Sequence, residues 1–310
     1  MSAGHAWVDL LDPSAEEIER RTPANLHPRA YEELARPLDQ DDLPRPTIEG
    51  HGDYVFGILL LPHFVQEQER AYVQEVDFVL TSNHLLTIRK TPVGDAAYDP
   101  KALQQVHAMR EHLKPGMFTF YLVDDVAEHY LDLLDVLDDE TDEVEQRIDR
   151  QHPSATQREL VDLRQHVIKI RRTLGPTRDA VRSVIDGRAD IEGRPLFRRE
   201  VFPRDVELHF AQAHDKLLRA NEGLDFARDM IASLRDYHQS LLANEANRVG
   251  TRLTVVASLL LFPTFIVGVY GQNFDDMPEL HWRFGYAFSW AVIVVVTLLQ
   301  LWFFRRRRWI

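Results

Sequence analysis

The chain has 310 residues, 49 Asp plus Glu against 36 Lys plus Arg, a net charge of −13 and no cysteine. That length holds one or two domains; the absence of cysteine excludes disulfides and thiolate metal sites, and the acidic balance attracts cations while disfavouring a nucleic acid partner. A mean hydropathy of −0.30 averages two unlike parts, because residues 251–310 hold six Arg and three acids, or +3, and residues 1–250 carry −16.

Residues 1–98 read as a mixed α/β cytosolic domain. Trp7-Val8-Asp9-Leu10 predicts a short strand, and Ser14 with Glu17 three residues on is a capping-box pattern for a helix after Pro13. Residues 54–61 predict a buried strand. Residues 72–81 and 85–88, joined around Ser82-Asn83-His84, predict a hairpin. Pro92, Gly94 and Pro100 mark a boundary. The first thirty residues include Asp9, Asp12, Glu16, Glu17 and Glu19 and no apolar stretch, so no cleavable signal is expected.

From 99 to 250 the pattern is helical, a cytosolic helical domain ending in a stalk. A helix is predicted over 118–150, ended by Pro153, and another over 154–174, broken at Gly175-Pro176. Eight of the fourteen residues 132–145 are acidic, which is either a solvated face or a means of attracting cations. The longest helix starts near Asp205. Steps of four and three pick out Val206, Phe210, Ala213, Leu217, Ala220, Leu224, Ala227, Ile231, Leu234, His238, Leu241 and Glu245, a seam in which ten of twelve are apolar. No proline intervenes before Pro263, so one helix can run from 205 to 273, about 100 Å at 1.5 Å per residue. A helix of that length is expected to need partner copies to cover its seam. His209, His214 and His238 lie along it at spacings that build no compact metal site, which favours packing or solvent exposure.

Residues 251–310 form the expected transmembrane domain. Two uncharged spans, 253–274 and 284–304, flank an external loop, 275–283; each matches the ~20 apolar residues that cross a bilayer. Arg248 and Arg252 precede the first span and Arg305–Arg308 follow the second, while the loop has only Arg283. The positive-inside rule then puts both termini in the cytoplasm. Continuing the spacing of the seam gives Asn247, Gly250, Thr254, Ala257, Leu261, Thr264, Gly268 and Gly271, all small or polar except Leu261, opposite the bulky Val255, Leu259, Phe262, Ile266 and Val269. Such a stripe lines a water-filled path or packs helices closely. Gly271-Gln272-Asn273 at the end of the span favours the path, since a polar triplet there suits a cation entrance better than an anchor. Leu253 and Leu261 are candidates for a hydrophobic gate, and Asp275, Asp276 and Glu279 would gather cations at the outer mouth.

These residues resemble the CorA family of divalent-cation transporters. The family's Tyr-Gly-Met-Asn-Phe, followed closely by Met-Pro-Glu-Leu, stands here as Tyr270-Gly271-Gln272-Asn273-Phe274 and Met277-Pro278-Glu279-Leu280. Asn247, Leu253-Thr254, Pro263-Thr264, Trp282, Gly285, Tyr286 and the basic, Trp-containing tail also fit, as do Arg204-Asp205-Val206 and Trp7-Val8-Asp9-Leu10 further upstream. Gln272 replaces the family's Met, at a position that also varies in the related ZntB-type zinc transporters.

The resemblance implies a funnel-shaped homopentamer in the cell (inner) membrane. It implies a pore lined by the first span, transport of Mg²⁺ with Co²⁺ and Ni²⁺ as alternatives, and closure by cytosolic Mg²⁺ bound between subunits at Asp205. Asp236 is a second candidate there, and Asp205 as a plain helix cap is the competing role. A proton-coupled Zn²⁺ transporter is the alternative function, and a non-transporting anchored scaffold is a further one. No GxxxxGK loop or HExxH helix is present, so neither an enzyme nor an organic cofactor is expected.

Overall fold

The computed structural model describes residues 7–65, 70–110, 113–148, 153–189, 201–272, 277 and 282–309. They fall into two compact units, Met1–Arg235 and Asp236–Ile310.

The first unit is built on a five-stranded sheet of β1 (Trp7–Leu11), β2 (Thr47–Gly50), β3 (Val55–Val65), β4 (Arg70–Leu80) and β5 (Leu85–Lys90), in the order β1-β5-β4-β3-β2. β1 pairs parallel with β5, and the other pairings are antiparallel. Alternation along the strands gives each face its own core. Tyr54, Phe56, Ile58, Leu60 and Val79 face α1 (Ala15–Arg21) and α2 (Pro28–Ala35), which contribute Ile18, Ala30 and Leu34. Val55, Leu59, Leu61, Val76, Phe78 and Leu80 share the larger core with α3 (Lys101–Met109), α4 (Pro115–Arg147), α5 (Pro153–Ile185) and residues Val206 to Leu234 of α6 (Arg204–Tyr270). The expected boundary near residue 98 therefore separates a strand-rich stretch from a helical one that share a single core.

Local chemistry explains how these elements are held. The capping box at α1 is complete, with Glu17 N donating to Ser14 Oγ and Ser14 N to Glu17 Oε2. Two α4 side chains reach carbonyls of β3: Tyr130 Oη donates to Leu60 O at 2.8 Å, and His129 Nε2 lies 2.6 Å from Pro62 O. Under α2, the buried Lys90 ammonium meets Glu75 Oε1 at 2.5 Å, Asp77 Oδ2 at 2.8 Å and the Glu33 carbonyl at 2.6 Å. Burial, then the neighbouring Glu75, raises the Asp77 carboxyl well above the usual range.

The strands and hairpin stand where the pattern predicts them, while α2, β2 and α3 carry no clear periodic signal. Two expectations are corrected. First, α5 is not broken at Gly175-Pro176 but runs on to Ile185. Ile170 and Leu174 before the proline and Val181 and Val184 after it are buried in the same core, and this packing outweighs the ~3 kcal/mol a helical proline costs.

Second, the α6 seam needs no other copy over its first eight turns. Every seam residue from Val206 to Leu234 is buried within its own chain. Phe210 meets the rings of Phe120 and Phe202 at 6.0 and 5.1 Å. Lys216 Nζ bridges Asp124 and Glu128 of α4 at 2.8 and 2.7 Å. At Gly223 a Cβ would stand 2.7 Å from Leu134 Cδ1.

In the second unit α6 continues through Pro263 to Tyr270, and α7 spans Gly285–Arg306. Both helices contain an 18-residue window of mean hydropathy 2.1 of which only 6% is buried. The core helix of a soluble protein is apolar and covered; these are apolar and bare, as a bilayer requires.

Candidate pore helix and its polar end

The apolar run of α6 divides into two faces. Val255 is 4% exposed, and Leu259, Ile266 and Val269 on the same side are half-buried. Ser258, on that side too, accepts a hydrogen bond from Gln300 Nε2 of α7 at 3.1 Å. This is the face α7 covers. Asn247, Gly250, Thr254, Ala257, Leu261, Thr264, Gly268 and Gly271 are all exposed, with Leu261 at 67%, and so is Leu253 at 64%.

Two glycines of the stripe answer no packing need among the described residues. A Cβ added at Gly250 or Gly268 would meet nothing within 4 Å. The hydroxyls of Thr254 and Thr264 donate to the carbonyls of Gly250 and Leu260 at 2.9 and 2.7 Å, so they carry little unmet demand into the membrane.

Past Tyr270 the helix closes with Gly271 N donating to Val267 O at 2.9 Å and Gln272 N to Val269 O at 3.3 Å. A Cβ at Gly271 would stand 3.3 Å from Val267 O, a close approach that glycine makes without strain. Gly271 also lines a cavity of about 570 Å³ with Tyr270, Trp282, Arg283, Tyr286 and Trp290. Aromatic side chains of this kind populate membrane–water boundaries. Asn273, Asp275, Asp276 and Glu279 lie outside the described residues.

On the first unit's portion of α6, Asp205 is exposed in the opening turn, and Val206 N and Glu207 N donate to Pro203 O. Asp205 is thus inside the helix rather than at its cap, where its charge still complements the helix dipole. Asp236 is exposed in the other unit. Among the described residues no three His, Asp or Glu side chains are grouped to hold a metal ion. His209 packs edge-on against Phe120, with Nδ1 2.6 Å from Asp205 O. The acidic stretch of α4 presents Asp132, Asp135, Asp138 and Asp139 outward and Leu133, Leu134 and Leu137 inward. Burial and the neighbouring Asp135, Asp142 and Asp139 raise the Asp138 carboxyl.

The family model for "CorA-like Mg2+ transporter protein" matches residues 2–306. The chain belongs to the CorA family. Its members are ion transporters and not enzymes. Over 313 residues it is 25% identical to the cobalt/magnesium transport protein CorA of Thermotoga maritima, covering 100% of this chain and 84% of the relative. Its fold matches the complete structure of the CorA magnesium transporter from Methanocaldococcus jannaschii, with a TM-score of 0.77 and 20% identity over 98% of this chain and 91% of that one. The cytoplasmic domain of ZntB from Vibrio parahaemolyticus matches less closely, with a TM-score of 0.57 and 15% identity over 77% of this chain and 88% of that one. At that identity it shares the fold and says nothing of the ion.

Gln300 is the residue that pattern analysis passes over. A single amide in an apolar run has no period, and only its reach to the neighbouring helix marks it out.

Proposed function

We propose that this chain carries Mg²⁺ into the cytoplasm through a pore lined by α6 of several copies, a homopentamer by analogy with its family. The carrying observation is the bare stripe from Asn247 to Gly271, in which Gly250 and Gly268 answer no packing need among the described residues. The arginines beside the spans support placing both termini in the cytoplasm and the Gly271-Gln272-Asn273 end outside.

Mg²⁺ holds its water shell reluctantly surrendered and prefers oxygen. A ring of Asn273 amide and Gly271 backbone carbonyls can hydrogen-bond those waters without stripping them. Neutral amides hold the ion weakly enough to release it, and Gln272 adds a further amide beside them. The loop acids Asp275, Asp276 and Glu279 would concentrate cations ahead of this ring. A divalent ion gains about 4.6 kcal/mol per 100 mV, inside negative, so inward flow needs no nucleotide. Closure would then rest on Mg²⁺ held between copies at Asp205, with Asp236 as a separate second candidate, and on the Leu253 and Leu261 side chains narrowing the path.

The test is divalent-ion uptake by liposomes holding the purified protein under an imposed negative-inside potential. Mg²⁺ entry that rises with voltage and is lost in Asn273→Ala supports the proposal. Zn²⁺ entry that follows a proton gradient and ignores voltage overturns it. In the same vesicles Asp205→Ala should weaken closure by internal Mg²⁺.

A further inference from the structure

Three non-aromatic side chains of α7 between residues 285 and 304 carry a hydroxyl or an amide: Ser289, Thr297 and Gln300. Two are satisfied within the helix, Ser289 Oγ donating to Tyr286 O at 2.9 Å and Thr297 Oγ1 to Ile293 O at 2.8 Å. Gln300 instead reaches across, donating from Nε2 to Ser258 O of α6 at 3.1 Å, while its Oε1 is buried with no hydrogen-bond partner among the described residues. A half-satisfied amide is costly in hydrocarbon, where no water can complete it. A Gln amide that bonds across to a neighbouring membrane helix fixes how the two helices sit together.

The acceptor's position gives the amide its meaning. Pro263 has no N–H, so the Leu259 carbonyl loses its helical partner, and the ladder is weakest at this turn. Ser258 is the residue immediately before it. Beside the contact lies an open apolar groove bordered by Ser258, Phe262, Val296, Leu299, Gln300 and Phe303. The two helices are therefore tied by one directional bond next to a break in the ladder, an arrangement in which this turn of α6 can shift once the tie is released.

We infer that Gln300 is a positioning residue for conduction. Its bond to the Ser258 carbonyl latches the turn before Pro263 onto α7 and so sets the balance between closed and conducting arrangements of α6. This rests on the proposal that α6 lines the pore.

The test compares wild type with Gln300→Met, which keeps the volume and loses the amide. An interhelical hydrogen bond of this kind corresponds to about a three- to tenfold change in an equilibrium. In nanodiscs, amide exchange over residues 255–263 should rise by that factor in Gln300→Met, whether or not the protein transports. In liposomes, the internal Mg²⁺ that halves uptake should shift by a similar factor. Unchanged exchange in Gln300→Met overturns the latch. A lowered melting temperature with wild-type Mg²⁺ closure also overturns it, since that is mere helix adhesion. Raised exchange in a protein whose wild type takes up no Mg²⁺ supports the latch and defeats the transport proposal instead.

Discussion

The same helix leads two different lives. From Val206 to Leu234, α6 presents an apolar seam that is buried within its own chain, in a core it shares with α4 and α5. From Leu253 to Tyr270 it is apolar nearly all round and mostly bare, Leu260, Leu261 and Phe265 each being about two-thirds exposed. Glycine marks the contrast again, since a Cβ collides with Leu134 at Gly223 and meets nothing at Gly250 or Gly268. The lesson is that a long apolar seam does not by itself call for other copies. The part that looks most like a coiled coil is satisfied internally, and the bare apolar surface belongs to the part that meets the bilayer.

The sharpest way to break this comparison is truncation at one position in each part. Phe210→Ala removes a fully buried ring, and the soluble fold should lose about 3–5 kcal/mol in denaturant unfolding. Leu261→Ser removes a side chain that is 67% exposed and should leave that unfolding transition unchanged while raising basal Mg²⁺ leak. A matched loss of stability in both variants would mean that Leu261 is covered within its own chain after all.

Acid offers a second separation, because residues 253–274 and 284–304 contain no His, Asp, Glu, Lys or Arg, whereas the first unit buries several. His63 on β3 lies with its ring 4.3 Å from that of His129 and 5.3 Å from Tyr72, and its Nε2 is 2.7 Å from Gln74 Oε1. Burial, then the charge of His129, lowers its pKa from 6.5 to about 4, against the opposing effects of Gln74 and Asp95. The unfolded chain therefore takes up a proton near pH 6.5 that the fold accepts only near pH 4. Stability should fall as pH drops through that window, by on the order of 3 kcal/mol in total. His63→Gln should flatten this part of the unfolding profile. An identical slope in wild type and variant would place the acid sensitivity elsewhere.

How much of this was legible in the residues alone follows from the kind of signal each feature leaves. The seam, the stripe and both spans repeat at helical spacing over many turns, so they read directly. β1, β3 and the β4–β5 hairpin are dense in β-branched and aromatic residues between turn formers. By contrast α2, β2 and α3 are nine residues or fewer, too short for a period to emerge. Pro176 reads as a helix end, because the rule about proline is local and the packing that overrides it is not. The partners of the α6 seam were likewise hidden, since α4 and α5 are amphipathic in their own right and nothing in their spacing says which helix they cover. Gln300 and Ser258 are 42 residues apart, a pairing visible only in space.

The smallest effect tests the far end of the bare region. At the C-terminus of α7, Trp309 N donates to Phe304 O at 3.0 Å and Arg308 N to Arg305 O at 3.1 Å, the two bonds of a Schellman motif. The hydrophobic contact that usually accompanies them is present, the Trp309 and Phe304 rings stacking at 5.8 Å and 14°. The motif requires a left-handed residue, and here that residue is Arg308, with φ +57°. A side chain in that conformation costs about 1 kcal/mol relative to glycine. Arg308→Gly and Arg308→Ala remove the same charge, so any difference between them isolates the backbone. Amide exchange at Trp309 should be slower in the Gly variant by about fivefold, as 1 kcal/mol implies. Equal exchange in the two would mean that the tail is held by its arginines at the lipid headgroups and not by the cap. The bare region would then depend on the bilayer even for the ending of its helix.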